Sequence, residues 1–358
     1  MHRVYHADLA QAQADPALAA LFAAGPRTTP FDRLDWFRLL GEECLAPSPS
    51  FLAVAREGDA VAALPLCRDR LGLSAMANWY SFIARPYWTA DGAPLLAAIL
   101  GDLAREGALS FAPLPRSEAA IMLTAARKAG WIGWLSQTDS NHIVSTRGRD
   151  FATWWAQRPG ALRETVRRKQ RKGRVAIRIS REFSATDLAA DWAAYEAVYA
   201  RSWKPEEGQP AFLRRFAMAE AAAGRLRIGL ATIDGQPVAA QFWTVENGTA
   251  YIHKLAHDDR ARAQSPGTLL SHALFAMAFD EDRVAMVDFG TGDDPYKRDW
   301  TEDVRPRYRL EAFHPRALAH WPRLARLCAR RLLRPRDFAA LPSPDLFGTD
   351  RPHKAIGR

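Results

Sequence analysis

The feature that most constrains this 358-residue sequence is a weak internal repeat. The segment GDAVAALPL begins at Gly58 and GQPVAAQFW begins at Gly235, 177 positions later, with the Val-Ala-Ala triplet in the same register. Each segment follows an alternating apolar stretch and a polar-glycine turn, a pattern typical of a β-hairpin. Farther on, Phe111 and Phe289 align at an offset of 178. We therefore predict two similar halves, each large enough to be a domain.

The second half gives the clearer order of secondary structure. Periodicity predicts a basic helix, a three-stranded meander, a second helix and a last strand, at 161–172, 226–232, 237–245, 249–256, 266–280 and 284–289. Because a helix joins the last two strands, they must run parallel. Ligands of open α/β sheets bind beyond the carboxyl ends of such strands. The loops after Ala256 and Phe289 therefore form the predicted site.

The stretch AQSPGTLL combines a helix start with a candidate phosphate site. Ser265 is predicted as the N-cap, its hydroxyl accepting a backbone N–H, and Pro266 as the first helical residue. Gly267 would let a ligand approach the backbone, where free N–H groups favour phosphate. Taken alone the stretch favours a plain helix start, but its place after the third strand favours a ligand site. The predicted cofactor-binding residues are Arg260, Arg262, Gln264, Ser265, Gly267 and Thr268.

The segment DFGTGDDPYKRDW supplies candidate catalytic residues. Asp288 ends an alternating strand, Gly290 and Gly292 give a tight turn, and Tyr296 and Lys297 follow. Lys297 could stabilise an oxyanion and Tyr296 could protonate a leaving thiolate. Asp288 could accept an amine proton or orient Lys297. The plain alternative is that Asp288 caps the glycine turn and Lys297 is solvated. The sequence has no glycine-rich loop or HRD segment, which excludes a protein kinase.

Both segments resemble motifs of the GNAT superfamily. Gln264 and Gly267 match the Gln/Arg-x-x-Gly-x-Gly/Ala loop that cradles the coenzyme A pyrophosphate, although Leu269 replaces the last small residue and Pro266 lacks an N–H donor. The DFG…YK…W segment resembles that of double-GNAT proteins, namely the Fem-type peptidoglycan aminoacyltransferases and the CelD-like acetyltransferases of polysaccharide loci. The strings ETVRRKQRKGR, YEAVYARSW and NWYSF add to the CelD-like resemblance, which extends over roughly 51–308.

The resemblance implies an α/β fold of mixed sheets, with two tandem GNAT-like acyl-CoA N-acyltransferase domains. The first would be degenerate, because Ser110 and Ala112 stand where Asp288 and Gly290 stand in the second. The implied domains are 1–150, 151–315 with the site, and a basic C-terminal helix with a loose tail over 316–358. In the Fem type a lysine of this segment stabilises the tetrahedral intermediate, a role that the resemblance gives to Lys297.

The implied reaction is transfer of an acyl group from acetyl-CoA, or a longer acyl-CoA, to a small-molecule amine by direct attack. O-acylation stays open. A second hypothesis is an aminoacyl-tRNA donor, favoured by the imperfect cofactor loop and by a basic stripe at Arg163, Arg167, Arg171 and Arg174. The long coiled-coil insertion common in Fem-type enzymes is absent, which opposes it. A third is a non-catalytic scaffold or a module that binds an acidic carrier protein.

The amino-acid composition limits the classes of partner that the protein is expected to bind. The net charge of +9, mostly from arginine, favours anionic partners such as cofactor phosphates, tRNA or an acidic carrier protein, and DNA is not expected. The three cysteines are scattered without a CxxC pair, so neither a disulfide framework nor a metal site is predicted. The apolar runs are shorter than the roughly 20 residues of a bilayer span. No signal-peptide pattern is visible, so we expect a cytoplasmic protein without an integral membrane segment.

The stretch RALAHWPRLARLCARRLLRPRDF near the C-terminus predicts a basic amphipathic helix. Such a helix could lie on a membrane or dock on its own protein. Pro322 opposes a single continuous helix through this stretch.

Overall fold

The computed structural model describes residues 2–23 and 28–338, together with the backbone of 353–354. The chain folds into two compact units. Unit 1 combines the residues up to Ser140 with Arg305–His353, and unit 2 comprises Asn141–Val304 together with the segment that begins at Lys354. The compact units differ from the predicted domains 1–150, 151–315 and 316–358, because the chain returns to unit 1 at Arg305. Those domain bounds stay a prediction. The predicted tail from Pro342 lies outside the described residues, apart from the backbone of 353–354.

Regular elements follow one another closely along the chain. In the first half they are β1 Arg3–Ala7, α1 Leu9–Ala14, α2 Pro16–Leu21, α3 Leu34–Leu40, β2 Ser50–Glu57, β3 Ala60–Asp69, β4 Gly72–Ala75, β5 Tyr87–Trp88, α4 Leu95–Asp102, β6 Ala108–Leu114, α5 Arg116–Lys128 and β7 Ile132–Ser145. In the second half they are α6 Phe151–Ala156, α7 Gly160–Lys172, β8 Ala176–Ser180, α8 Ala185–Ala200, α9 Pro210–Ala222, β9 Leu226–Ile233, β10 Gln236–Glu246, β11 Thr249–His257, α10 Pro266–Asp280, β12 Met286–Thr291, α11 Lys297–Trp300, β13 Asp303–Phe313, α12 Trp321–Leu333 and β14 His353–Lys354.

Unit 1 is built on a mixed sheet in the order β1-β2-β3-β4-β6-β13. Among its described strands only β4 and β6 pair in parallel, and α4 lies between them in sequence. The other neighbours pair antiparallel, including the predicted β2–β3 hairpin. Leu64, Leu96, Met122 and Leu310 are among the fully buried side chains of its core. Each large apolar side chain that is buried in this way stabilises the fold by about 1.5–3 kcal/mol.

Unit 2 repeats this order with β8-β9-β10-β11-β12 and the final residues of β7. Here too a single pair, β11 and β12, is parallel, and α10 connects the two strands. The predicted meander, the crossover helix and the parallel pair are confirmed. Each unit therefore contains the same sequence of hairpin, crossover helix and parallel strand, as the internal repeat predicts.

Helix α10 is the element that fixes the site end of unit 2. Its inner face packs on β9, where Gly229 makes room: a Cβ at that position would lie 2.9 Å from Leu270 Cδ1 and from Leu274 Cδ1. Farther along, Phe275 stacks on Trp154 with ring centroids 4.8 Å apart, and Trp300 lies 5.1 Å from Phe275. These contacts hold the later part of α10 and the end of the 288–300 segment against one core.

Three further findings bear on the sequence predictions. Among the described residues, no helix combines the length and apolar character that a bilayer crossing requires. All three cysteines are free thiols, of which Cys67 is buried and the other two are half-buried. The predicted C-terminal amphipathic helix is present as α12, and Pro322 occupies its first turn, where a missing N–H leaves no hydrogen bond unmade.

Candidate functional site

The parallel strands β11 and β12 pair over only three residues. Thr249, Ala250 and Tyr251 pair with residues 286–288, after which β11 continues along β10 to His257. Strand β12 meanwhile continues to Thr291, which pairs with β7. Both strands keep a partner on their outer side, so the loss of pairing between them opens the sheet of unit 2 at this point. Opposite the opening, β10 and β11 shift register between Phe242 and Trp243, a bulge that bends β11.

The start of α10 lies next to the carboxyl end of β11. A Cβ on Gly267 would lie 3.4 Å from His257 Nδ1, and the His257 ring is 4.3 Å from that of Trp203. The buried Gln241 of β10 fixes the helix by donating to Gly267 O at 3.3 Å and to Ser271 Oγ at 2.7 Å. The predicted cofactor loop and the opened strand therefore meet at Gly267 and His257.

The predicted capping hydrogen bond of Ser265 is wrong. Ser265 is the N-cap residue of α10, and Pro266 is the first helical residue, as expected. Its hydroxyl does not accept a hydrogen bond from the helix, because the residue has φ 53° and ψ 44°, in the left-handed region, instead of the extended backbone of a capping serine. The first N–H groups of a helix have no intrahelical acceptor, so those of Gly267 and Thr268 are left for a ligand.

The remaining residues of the predicted cofactor set differ in their contacts. Arg260 is exposed and its guanidinium donates to both carboxylate oxygens of Asp258, at 3.1 and 2.7 Å. Arg262 is exposed and Gln264 is half-buried. Lys169 of α7 donates to Ala263 O, which brings the basic helix against this loop.

Lys297 is buried instead of solvated. Only 3% of the residue is exposed, and its ammonium donates to Thr291 O at 2.7 Å and to Gly292 O at 2.9 Å. The glycine turn wraps around this ammonium, because Gly292 has φ 98° and a Cβ there would lie 3.5 Å from Nζ. A positive charge therefore lies at the carboxyl end of β12, at the opening of the sheet.

Asp288 organises the same turn from its other end. Its Oδ1 accepts hydrogen bonds from Gly290 N at 2.7 Å and from Asn141 Nδ2 at 2.6 Å, and Asn141 also donates to Gly290 O at 3.1 Å. Asp288 thus caps the glycine turn, as the plain alternative anticipated, whereas Lys297 does not follow that alternative.

Asn141 and His142 were missed by the sequence reasoning. Both are buried polar residues at the end of β7. His142 contacts Asp293 Oδ1 through Nε2 at 2.9 Å and Thr301 Oγ1 through Nδ1 at 3.2 Å. Burial lowers the pKa of His142. A consecutive Asn-His pair inside an alternating strand is the signal that could have singled them out.

Tyr296 is 39% exposed and precedes the buried lysine. Partial burial of its hydroxyl and the negative charge of Asp294 raise the pKa of Tyr296. The phenol therefore keeps its proton across neutral pH, as a proton donor must.

Lys204 and Lys254 are further residues that the sequence reasoning missed. Lys204 lies half-buried in the loop between α8 and α9. Removal from solvent lowers the pKa of Lys204 to about 8; the positive charges of Lys254 and Lys297 act in the same direction, and Asp294 and Glu207 act against it. Lys254 of β11 pairs with Glu207, Nζ to Oε2 2.8 Å. Lys204 therefore lies within electrostatic reach of Lys254 on β11 and of Lys297, which follows β12 in sequence.

A family signature covers most of the residues just described. Residues 160–298 match the family model described as an acetyltransferase (GNAT) domain. That span contains the opened strands, α10 and Lys297. The expected enzyme class, an acyltransferase with a GNAT domain, is confirmed by this match. No curated protein matches the chain.

Solved structures resemble the chain over most of its length. FemX has a TM-score of 0.58 at 9% identity, covering 86% of this chain and 96% of its own. A tandem GNAT protein from the clavulanic acid biosynthesis pathway has 0.52 at 14%, covering 87% and 98%. A conserved protein of unknown function from Bacteroides thetaiotaomicron has 0.54 at 16%, covering 87% and 100%. The likeness shows a tandem GNAT fold with mixed sheets, which confirms the predicted fold class. The CelD-like resemblance stays a prediction.

No group of three or more His, Cys, Asp or Glu side chains that could hold a metal ion occurs among the described residues.

Proposed function

We propose that the chain transfers an acyl group from acyl-CoA to an amine by direct attack of the amine on the thioester. The observation that supports this most is the opening between β11 and β12, with an uncapped helix start at one strand end and the Lys297 turn at the other. GNAT domains in general use acyl-CoA, which agrees with a donor in this opening.

On the donor side, the pyrophosphate would accept hydrogen bonds from the N–H groups of Gly267 and Thr268 at the positive end of the helix dipole. Ser265 and Gln264 flank these groups, and Arg262 offers an exposed charge. Arg260 would contribute less, because Asp258 already neutralises it. The thioester carbonyl would then reach into the opening beside His257 and Lys254.

On the acceptor side, the amine nitrogen attacks the carbonyl carbon, and the oxyanion that forms is stabilised by the positive charge of Lys297. The carbon–sulfur bond then breaks, and Tyr296 gives its proton to the departing thiolate. We assign uptake of the amine proton to Lys204, whose lowered pKa leaves a neutral fraction near pH 8. Asp288 we assign to holding the turn, since its Oδ1 already accepts two hydrogen bonds. No covalent enzyme intermediate is required.

The CelD-like resemblance makes an amine of a polysaccharide pathway the first acceptor to try. A second candidate function is aminoacyl transfer from tRNA. The FemX-like fold and the basic helix α7 favour it. Three arginines of the predicted stripe lie on α7, and Arg174 follows the end of this helix. All four are exposed, although Arg167 pairs with Glu164 and Arg163 donates to Arg158 O at 3.0 Å. The stripe is therefore open to a nucleic-acid backbone, with two of its four arginines already holding partners within the protein.

Thermal unfolding of the purified chain with coenzyme A, acetyl-CoA, longer acyl-CoAs and adenosine diphosphate would test the proposal. A rise in Tm with acyl-CoA beyond that with adenosine diphosphate is expected, since a ligand that binds only the folded state stabilises it. Release of free thiol on addition of amines would then identify the acceptor. Salt-sensitive tRNA binding without any acyl-CoA shift would instead favour the aminoacyl alternative. Ligand binding without turnover of any amine would favour the scaffold.

A further inference from the structure

Helix α12 and the turn before it expose large apolar side chains on unit 1. Leu318 is 68% exposed and Trp321 53%, while Leu332 and Leu333 are each 81% exposed. These four account for much of the exposed large apolar surface among the described residues. A cluster of this kind marks an interaction site more often than a chance surface.

The helix is held on unit 1 by its opposite face. Leu327 is buried and, with the partly buried Leu324, packs against Phe313 and Phe338. Arg330 lies over the Phe338 ring at 4.9 Å and pairs with Glu311 at 2.6 Å. These contacts bury one face of α12, so the rest of its surface faces away from unit 1.

That outward surface is a continuous apolar stripe. Trp321, Ala325, Ala329 and Leu332 are spaced by four, four and three residues, and all are exposed. At about 100° per residue this spacing keeps them on one face, well away from Leu327. We call this face, with Leu318 and Leu333 at its edge, the α12 stripe.

Positive charge surrounds the α12 stripe. Residues 316–337 contain seven arginines and one acidic residue, Asp337. Arg326, Arg334 and Arg336 are exposed. Apolar side chains including tryptophan on one face of a helix, bordered by arginine, match the chemistry of the boundary between lipid headgroups and acyl chains.

We propose that the α12 stripe binds the surface of an anionic lipid bilayer, with its leucines and Trp321 in the interface and the arginines against the headgroups. An acidic protein or a nucleic acid would pair with the arginines. Neither partner explains why two adjacent leucines are each 81% exposed. The charge favours an anionic bilayer over a neutral one, because each basic residue near the surface is attracted by the anionic headgroups. This inference is independent of the reaction proposed above.

Co-sedimentation of the full chain with vesicles would test the proposal. Wild-type chain should bind vesicles of equal parts phosphatidylcholine and phosphatidylglycerol, and bind pure phosphatidylcholine far less. The double variant Leu332→Ser, Leu333→Ser should lose roughly tenfold or more in vesicle partition, because two leucines no longer leave water. The matched control is Ile177→Ser, an isoleucine of β8 that is 37% exposed and should leave partition unchanged.

The double variant should keep the wild-type Tm, since neither leucine contributes to the core. Three results would overturn the proposal: no binding of wild-type chain to the anionic vesicles, equal binding by the double variant, or a wild-type dimer that the double variant converts to a monomer. Equal binding by the double variant, together with tRNA binding, would mean that charge alone acts and that the partner is a nucleic acid.

Discussion

At the scale of single residues, Lys297 is a buried charge, which destabilises a fold unless the charge is hydrogen-bonded. Its side chain is buried, yet its ammonium is satisfied by two backbone carbonyls of a tight glycine turn. A hydrogen bond to a charged group contributes about 1.5–3 kcal/mol, and its loss leaves the carbonyls unpaired. The lysine is therefore expected to matter for both the stability of the turn and the reaction.

We expect Lys297→Met to separate these roles. The variant should lose about 1–3 kcal/mol of unfolding free energy and at least roughly a hundredfold in kcat, while a folded fraction still binds acetyl-CoA. Denaturant unfolding and steady-state kinetics would measure the two effects. Lys128→Met, at an exposed lysine of α5 in unit 1, is the control and should retain wild-type activity. Loss of binding in step with stability, with kcat unaffected, would limit Lys297 to holding the turn.

Lys204 gives a pH prediction. Its pKa falls from 10.5 to about 8 in the fold, mainly because burial disfavours the charge. Below about pH 8 the lysine is charged in both folded and unfolded states, and the folded state carries the full desolvation penalty. Between about pH 8 and 10.5 only the folded state loses the proton, so stability should rise with pH relative to Lys204→Met. Melting curves of both proteins over this range would check it.

Lys204 should also determine how the reaction rate depends on pH. If Lys204 takes the amine proton, kcat/KM should rise through about pH 8, and this step should disappear in Lys204→Met. A rate that falls above pH 8 instead would mean that the charged lysine binds an anionic group of a substrate.

At the scale of elements, α10 is a helix whose start has neither an acidic residue in its first turn nor a side-chain cap. Without these groups the positive end of the helix dipole is left uncompensated. The helix is therefore less stable by itself, and its start favours an anionic ligand. Ser265 in the left-handed region has the same effect, because its hydroxyl makes no capping hydrogen bond to the helix.

Thr268→Asp should therefore act in opposite directions on stability and binding. A carboxylate in the first turn should stabilise the helix by about 0.3–1 kcal/mol, yet repel the pyrophosphate and weaken acyl-CoA binding by roughly tenfold or more. Ala211→Asp is the matched control, because it places the same charge in the first turn of α9, which also has none. Titration of acyl-CoA by calorimetry would decide. Unchanged affinity in Thr268→Asp would remove the phosphate site from this helix.

At the scale of the whole molecule, the sheet of unit 1 includes a strand that follows all of unit 2 in sequence. The sheet of unit 2 includes the last residues of a strand that begins in unit 1. Strand β13 pairs with β6 of unit 1, although all of unit 2 lies between them in sequence. Strand β7 begins in unit 1, and its last residues pair with β12.

Leu310→Ala in β13 should consequently destabilise unit 1. Leu310 is fully buried and pairs with Phe111, so its truncation should cost about 2–5 kcal/mol. Amide exchange should show lost protection in β4 and β6 instead of β11 and β12. Leu270→Ala in α10, equally buried, is the control and should give the reverse pattern. Identical patterns in the two variants would contradict two separate cooperative units.

The amino-acid sequence by itself determined the elements that depend on local rules. The hairpins at Gly58 and Gly235, the helix start at Pro266 and the parallel pair around α10 follow from alternation, turn residues and the need for a crossover. The candidate loops were found for the same reason, since they follow directly from those elements.

Only the tertiary structure decided the features that depend on distant residues. Asn141 holds Asp288 across 147 positions, and the buried state of Lys297 follows from the turn that these contacts fix. The parting of β11 from β12, the lowered pKa of Lys204 and the return of β13 to unit 1 also arise from contacts between remote segments. Such contacts leave no periodic trace in the chain, because burial and pairing are properties of the folded neighbours and not of the local sequence.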